Sequence, residues 1–231
     1  MMRDYTLEYK KREISIFIAT LIPLAVLAYH SNIELGSLGP FSLIAILVLV
    51  LILANYEIPI YKTRTIKPEH LMKNALLLEK IYGVPVLKEL EIGTKRTFDT
   101  TVSLNLGGCI LPLITLIYVL VSHHNTAILL ITSLMIIAVF LGSEMVDGIG
   151  IVIPNYISLL AIPLALLVAP SSAAEAVYIA SVSGILVGTL ISAATFNREK
   201  KGSAYLSIGG AGSFIPIYVT FLISVILAFF M

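Results

Sequence analysis

The chain of 231 residues has no tryptophan, one cysteine and little charge: only 13% of its residues are Asp, Glu, Lys or Arg. The lone Cys109 sits inside an apolar run, so no disulfide can form within the chain and no cysteine-based metal site can be assembled. Scarce charge at a formal net +1 removes the basic surface that nucleic-acid binding needs. No Gly-x-Ser-x-Gly, His-Glu-x-x-His or Walker sequence occurs, so no signature of a serine hydrolase, a zinc protease or a nucleotide loop is present. What fills the chain instead is apolar: 58% of its residues. A soluble domain of this length cannot hide that much apolar surface, so the composition predicts a multi-pass protein of the cell membrane, with the lipid bilayer as its first partner.

Seven apolar runs long enough to be read as spans can be drawn, at about 14–30, 41–61, 101–122, 126–143, 148–169, 174–196 and 213–231. The charged stretch before the first run resembles a signal peptide but lacks a clear small-residue cleavage site, so it is read as a span. The expected fold class is therefore all-α, a polytopic transmembrane bundle of about seven helices forming one domain over 1–231. All fifteen Lys and Arg fall before residue 13, in 62–100 or in 197–203. Seven alternating spans put those segments on one side, which places the N-terminus in the cytoplasm and the C-terminus outside. Within 62–100, "KPEHLMKNALLLEKIYGVP" predicts an amphipathic cytoplasmic helix lying on the membrane surface, with Leu71, Ala75, Leu78 and Tyr82 on one face, stopped at Gly83 and Pro85. Residues 86–98 then form either a hairpin around Gly93 or an extended lead into the third span.

Three spans open alike: "LNLGGCILP", "DGIGIVIP" and "LSIGGAGSFIP". Each places a glycine four residues before a proline, Gly108 to Pro112, Gly150 to Pro154 and Gly212 to Pro216. Proline has no N–H to give the residue four positions back, so in a helix each glycine carbonyl is left open to water, an ion, a solute or another segment's donor. The plainer alternative is that these residues bend helices or let them pack. Packing is the reading for Ala180, Gly184, Gly188 and Ser192, a small-residue stripe at four-residue spacing in the sixth span. The glycine cluster 209–212 shows no preceding strand and no following lysine, so no phosphate cradle is expected there.

Carboxylates gather near these entrances: Glu57 ends the second span, and Glu144 and Asp147 bridge the fourth and fifth. Asn55, Asn105, Asn155 and Ser213 add neutral oxygens. Hard oxygen donors suit a monovalent or divalent cation as cofactor, or a proton, and no zinc-type metal site is expected. The leading functional expectation is a transporter or channel for an ion or small solute. Its site would be built from Gly108, Gly150, Gly212, Asn105, Asp147, Asn155 and Ser213. The alternatives are a membrane-embedded hydrolase, protease or lipid-modifying, using Glu57, Glu144 and Asp147 as catalytic acid and base, and a non-catalytic structural or partner-binding protein. Of these, a protein that is not an enzyme is favoured. Asp147-Gly-Ile-Gly150 carries the letters of an intramembrane aspartyl protease in the wrong order. A homo-oligomer and a cytoplasmic partner at 62–100 both fit this reading.

Taken in order, "NYEIPIY", "LNLGGCILP", "GIGIVIP" and "SIGGAGSF" resemble an uncharacterised prokaryotic integral-membrane family catalogued as domain of unknown function 1614, over about 41–231. The resemblance implies a multi-span protein of bacterial or archaeal membranes and supplies no substrate. The family's last motif continues Gly-Thr-Phe-Asp, whereas here Gly212-Ser213-Phe214-Ile215 stands, without the carboxylate.

Overall fold

The computed structural model describes residues 7–30, 34–91, 96–122 and 126–230. Among the described residues are nine α-helices and five strands, which corrects the expected all-α bundle. The helices are α1 (Leu7–His30), α2 (Pro40–Leu53), α3 (Leu71–Tyr82), α4 (Val86–Leu90), α5 (Leu111–Ser122), α6 (Thr126–Gly142), α7 (Ala161–Val168), α8 (Ala173–Thr195) and α9 (Phe214–Phe230). The strands are β1 (Glu57–Ile66), β2 (Thr97–Asn105), β3 (Glu144–Val146), β4 (Gly150–Val152) and β5 (Tyr205–Ile208). Of the described helices, only Pro170–Thr195 is long and apolar enough to cross a membrane, and 67% of its core window is buried inside the protein. With seven alternating spans overturned, the placement of the N-terminus in the cytoplasm and the C-terminus outside loses its basis.

The error has a local cause. The apolar runs read as second, third and fifth spans are composites, because a hydropathy window adds a β-branched strand to the helix beside it. The run 41–61 is α2 followed by the start of β1; 101–122 is the end of β2, a π-helical turn at Leu106–Ile110 and α5; 148–169 is β4, a 3-10 turn at Ile157–Leu160 and α7. Of the connector 86–98, the first half is α4 and the end belongs to β2, while Gly93 lies outside the described residues.

β1 and β2 pair antiparallel from Glu57 opposite Asn105 to Ile66 opposite Thr97, with a bulge between Pro59 and Tyr61 where proline has no N–H to give. β5 joins the other edge of β2 in parallel, Thr101 beside Tyr205 and Leu104 beside Ile208. β3 and β4 form a separate short hairpin turned at Gly148, whose φ is +79°. β2 links two cores. Its Phe98 packs with Leu71 and Ala75 of α3 and with Ile149, and its Val102 with Met145, Ile151 and Leu206. Its far end, at Leu104, reaches the large apolar core of the helices. The structure is thus a cap of sheet and α3 set on a helical layer. The face of α3 read from sequence is the one that packs, but against Phe98 and Ile149 of the protein rather than on a membrane surface: Leu71 and Ala75 are buried, and Leu78 and Tyr82 lie against the same cluster. Gly83, at φ +70°, ends that helix in the left-handed conformation, and its N–H donates to the Glu79 carbonyl at 2.8 Å.

In the helical layer, α8 is central. Gly184 lies against Met135 and Gly188 against Val139 of α6, and the hydroxyls of Ser143 and Ser192 bond across the same seam. The stripe 180–192 is a packing surface.

Candidate functional site

β2 and β5 each run straight into glycines, Gly107-Gly108 after Asn105-Leu106 and Gly209-Gly210 after Ile208, and the two segments lie back to back. A Cβ on Gly108 would overlap the Gly209 carbonyl, and one on Gly209 would overlap the Gly108 carbonyl. Gly209 also holds φ +76°, so glycine is needed here on two grounds. Asn105 is fully buried and committed at both ends: its Oδ1 accepts from the Gly108 N–H at 2.8 Å, and its Nδ2 donates to the Ala54 carbonyl at 2.5 Å. Both residues hold the junction of α2, β2 and α5.

The other two glycines of the repeated motif differ from one another. Gly150 lies in β4, so Pro154 interrupts no helix there. Gly212, at φ +90°, does precede a helix, but its carbonyl accepts the Ile153 N–H at 2.9 Å. The oxygen left open by Pro216 is thus taken by a donor from another segment. The carbonyl of Gly210 accepts from the N–H groups of Ser213 and Phe214 at 3.0 and 2.8 Å, which closes the turn into α9. Ser213 itself is buried and turns its hydroxyl to the same carbonyl at 3.4 Å.

Beside this turn, at the seam of cap and helices, is a cavity of about 320 Å³. It is lined by Asn55 from the end of α2, Ile81 and Tyr82 from α3, Ile153, Pro154 and Asn155 after β4, and Gly210, Ala211, Gly212, Phe214 and Ile215. Of the sequence-predicted residues it brings together Asn155 and Gly212, with Asn55 beside them, and leaves Gly108, Gly150, Asn105, Asp147 and Ser213 outside its lining. Among the described residues, no hydrogen bond engages the side-chain amides of Asn55 or Asn155 or the Tyr82 hydroxyl. Burial, and then the negative charge of Glu144, push the Tyr82 phenol above its ordinary 10.0, so it is a protonated donor at neutral pH. Sequence reading placed Tyr82 only on the apolar face of an amphipathic surface helix. Nothing in its local pattern marks it, because the cavity exists only where α3 folds over the two glycine turns.

The three carboxylates have separate duties. Glu57 is buried behind Gly210, where its Oε2 accepts from the Ser103 hydroxyl at 2.5 Å. A Cβ on Gly210 would sit 2.9 Å from the Glu57 Oε1. Glu144 is largely exposed and pairs with Lys201 at 2.9 Å. Asp147 is a clamp: Oδ2 meets His70 Nε2 at 3.0 Å, and Oδ1 accepts the Gly202 N–H at 2.8 Å. These last two groups edge a second, shallower cleft of about 290 Å³ with His70, Asn74 and Lys201. Among the described residues no group of three or more His, Cys, Asp or Glu could hold a metal ion.

The glycine cluster 209–212 does follow a strand, β5, and precedes the helix α9. That strand–turn–helix order, which the sequence reading missed, is shared with phosphate loops. The cavity beside it nevertheless contains no Lys or Arg in its lining.

Every lining residue falls within the stretch 51–227, over which the chain matches the family model described as Protein of unknown function (DUF1614). The chain belongs to this family. The match takes in β1 to β5, both glycine turns and the start of α9, so the paired turns and the cavity lie within the family's domain. No curated protein and no solved structure matches the chain.

Proposed function

We propose that the protein is a membrane-embedded transporter of a small solute in the cell membrane, with the cavity at Asn55, Tyr82 and Asn155 as its solute site. The observation that carries this reading is the position and lining of that cavity: uncommitted polar side chains set among apolar ones, where a cap meets a layer of apolar helices. Pockets of this size and mixed lining are the usual form of small-molecule sites. The membrane setting is supported by the apolar side chains that the helices turn outward, among them Phe41, Val121, Leu129, Leu141, Leu167 and Phe230, all more than 60% exposed. Exposed apolar surface on that scale requires a cover, and lipid is the cover that suits helices on several sides. Of the ion and solute alternatives, the bonded Gly212 carbonyl favours the solute, since an ion cage needs open carbonyls.

Osmotic shrinkage and re-swelling of proteoliposomes test the proposal. With acetamide or erythritol as the external solute, re-swelling runs faster than in protein-free liposomes, and Asn155→Leu slows it toward the protein-free rate. Rates equal to protein-free liposomes for every solute tried, with folded protein in the bilayer, overturn it.

A further inference from the structure

Building on the solute-site reading, we infer that this cavity selects an uncharged molecule bearing an amide, hydroxyl or carbonyl group, and rejects both anions and cations of the same shape. No lining residue carries a formal charge; the polar contacts on offer are two carboxamides and a phenol. Each carboxamide both donates and accepts, and the phenol does too, so the set matches a neutral group with a lone pair and an N–H or O–H.

Each sign of charge meets one adverse and one favourable neighbour, so neither gains a net attraction to replace the water it gives up. A cation in the cavity faces the N-terminal end of α9, at Gly212, Phe214 and Ile215, where the helix dipole is positive. An anion faces the negative side: Glu57 stands behind Gly210, and Glu144 acts on Tyr82 at the opposite wall. No lysine or arginine lines the cavity to compensate an anion, and the Gly210 and Gly212 carbonyls that could solvate a cation are spent on backbone N–H groups. An uncharged ligand avoids both penalties, and its apolar remainder fits Ala54, Ile81, Ile153 and Phe214.

Three probes with one ring and different charge decide it: benzamide, benzoate and benzylamine, the last a cation at neutral pH. Saturation-transfer NMR on the full-length protein in detergent reads their binding. Benzamide is expected to bind, with an affinity about tenfold or more above either charged probe, and to be weakened by Asn155→Leu and by the conservative Tyr82→Phe. Thermal unfolding of both variants, unchanged from the parent, shows that the loss is local. Benzoate or benzylamine binding as well as benzamide overturns the inference, as does benzamide binding that neither variant alters or no binding of benzamide at all. Neutral binding without solute flux sinks the transport reading and leaves this one standing; flux with charged probes bound equally well does the reverse.

Discussion

Gly209 combines two demands that are usually separate, a left-handed backbone and no room for a side chain. Its φ of +76° strains any other residue, and a Cβ would strike the Gly108 backbone rather than a flexible side chain. Gly209→Ala is expected to destabilise by about 2 kcal/mol or more, read as a lowered unfolding midpoint in detergent. Gly39→Ala, where a Cβ meets nothing within 4 Å, should change stability by about 0.5 kcal/mol or less. Tyr82 gives a second prediction at this scale. Its phenol titrates above the ordinary 10.0 because of burial first and Glu144 second. A raised folded-state value favours the protonated form, so its contribution is intact below pH 10.0 and is lost as pH rises through the folded value. A difference titration of phenolate absorbance, parent minus Tyr82→Phe, should therefore show one tyrosine ionising later than the exposed ones. Overlapping curves would contradict the placement of Tyr82.

Between elements, two joints can be tested. The α6–α8 seam depends on Gly184 and Gly188, and Ser143 and Ser192 touch at its end. Replacing both serines with cysteine should give a disulfide under mild oxidation, and adding Gly188→Leu should abolish it by pushing the helices apart. Asp147 joins the loop at Gly202 to the start of α3 through His70. Asp147→Ala is expected to cost about 1–3 kcal/mol by stranding the Gly202 N–H, while Asp147→Asn keeps an acceptor and costs less. Protease cutting within 197–204 should rise for the alanine variant only. The α6–α8 seam was legible in the sequence because its four-residue spacing is local, and so was the packed face of α3. The strands were not, although "EIPIYKTRTI" and "TFDTTVSLN" are rich in β-branched residues. Their apolar positions abut helical runs, and a window long enough to find a span averages the two periods together. Of the seven expected site residues only two, Asn155 and Gly212, reach the cavity. Asn105 and Asp147 do not, because their side chains are used to hold backbone in place, and sequence does not distinguish a polar group that serves the fold from one that awaits a ligand.

Over the whole molecule, the central fact is the division between a polar cap and a layer of apolar helices whose central member, α8, is the most enclosed. α5, α6, α7 and α9 pack around it and present their other faces outward. If those faces meet lipid, as proposed, the protein should stay with the membrane through an alkaline carbonate wash and leave it only with detergent. Release by carbonate would place it outside the bilayer.

The parallel pairing of β2 with β5 brings Ser103 beside Ser207, and it sets a clock for biogenesis. The partner of β2 leaves the ribosome 104 positions later (207 minus 103), on the order of 5–20 s at ordinary elongation rates. For that interval the nascent chain has an unpaired strand edge and an uncovered Gly108, with α5 to α8 already made. A chain stalled before residue 205 should therefore persist as a target for chaperones and quality-control proteases, and only the last strand releases it.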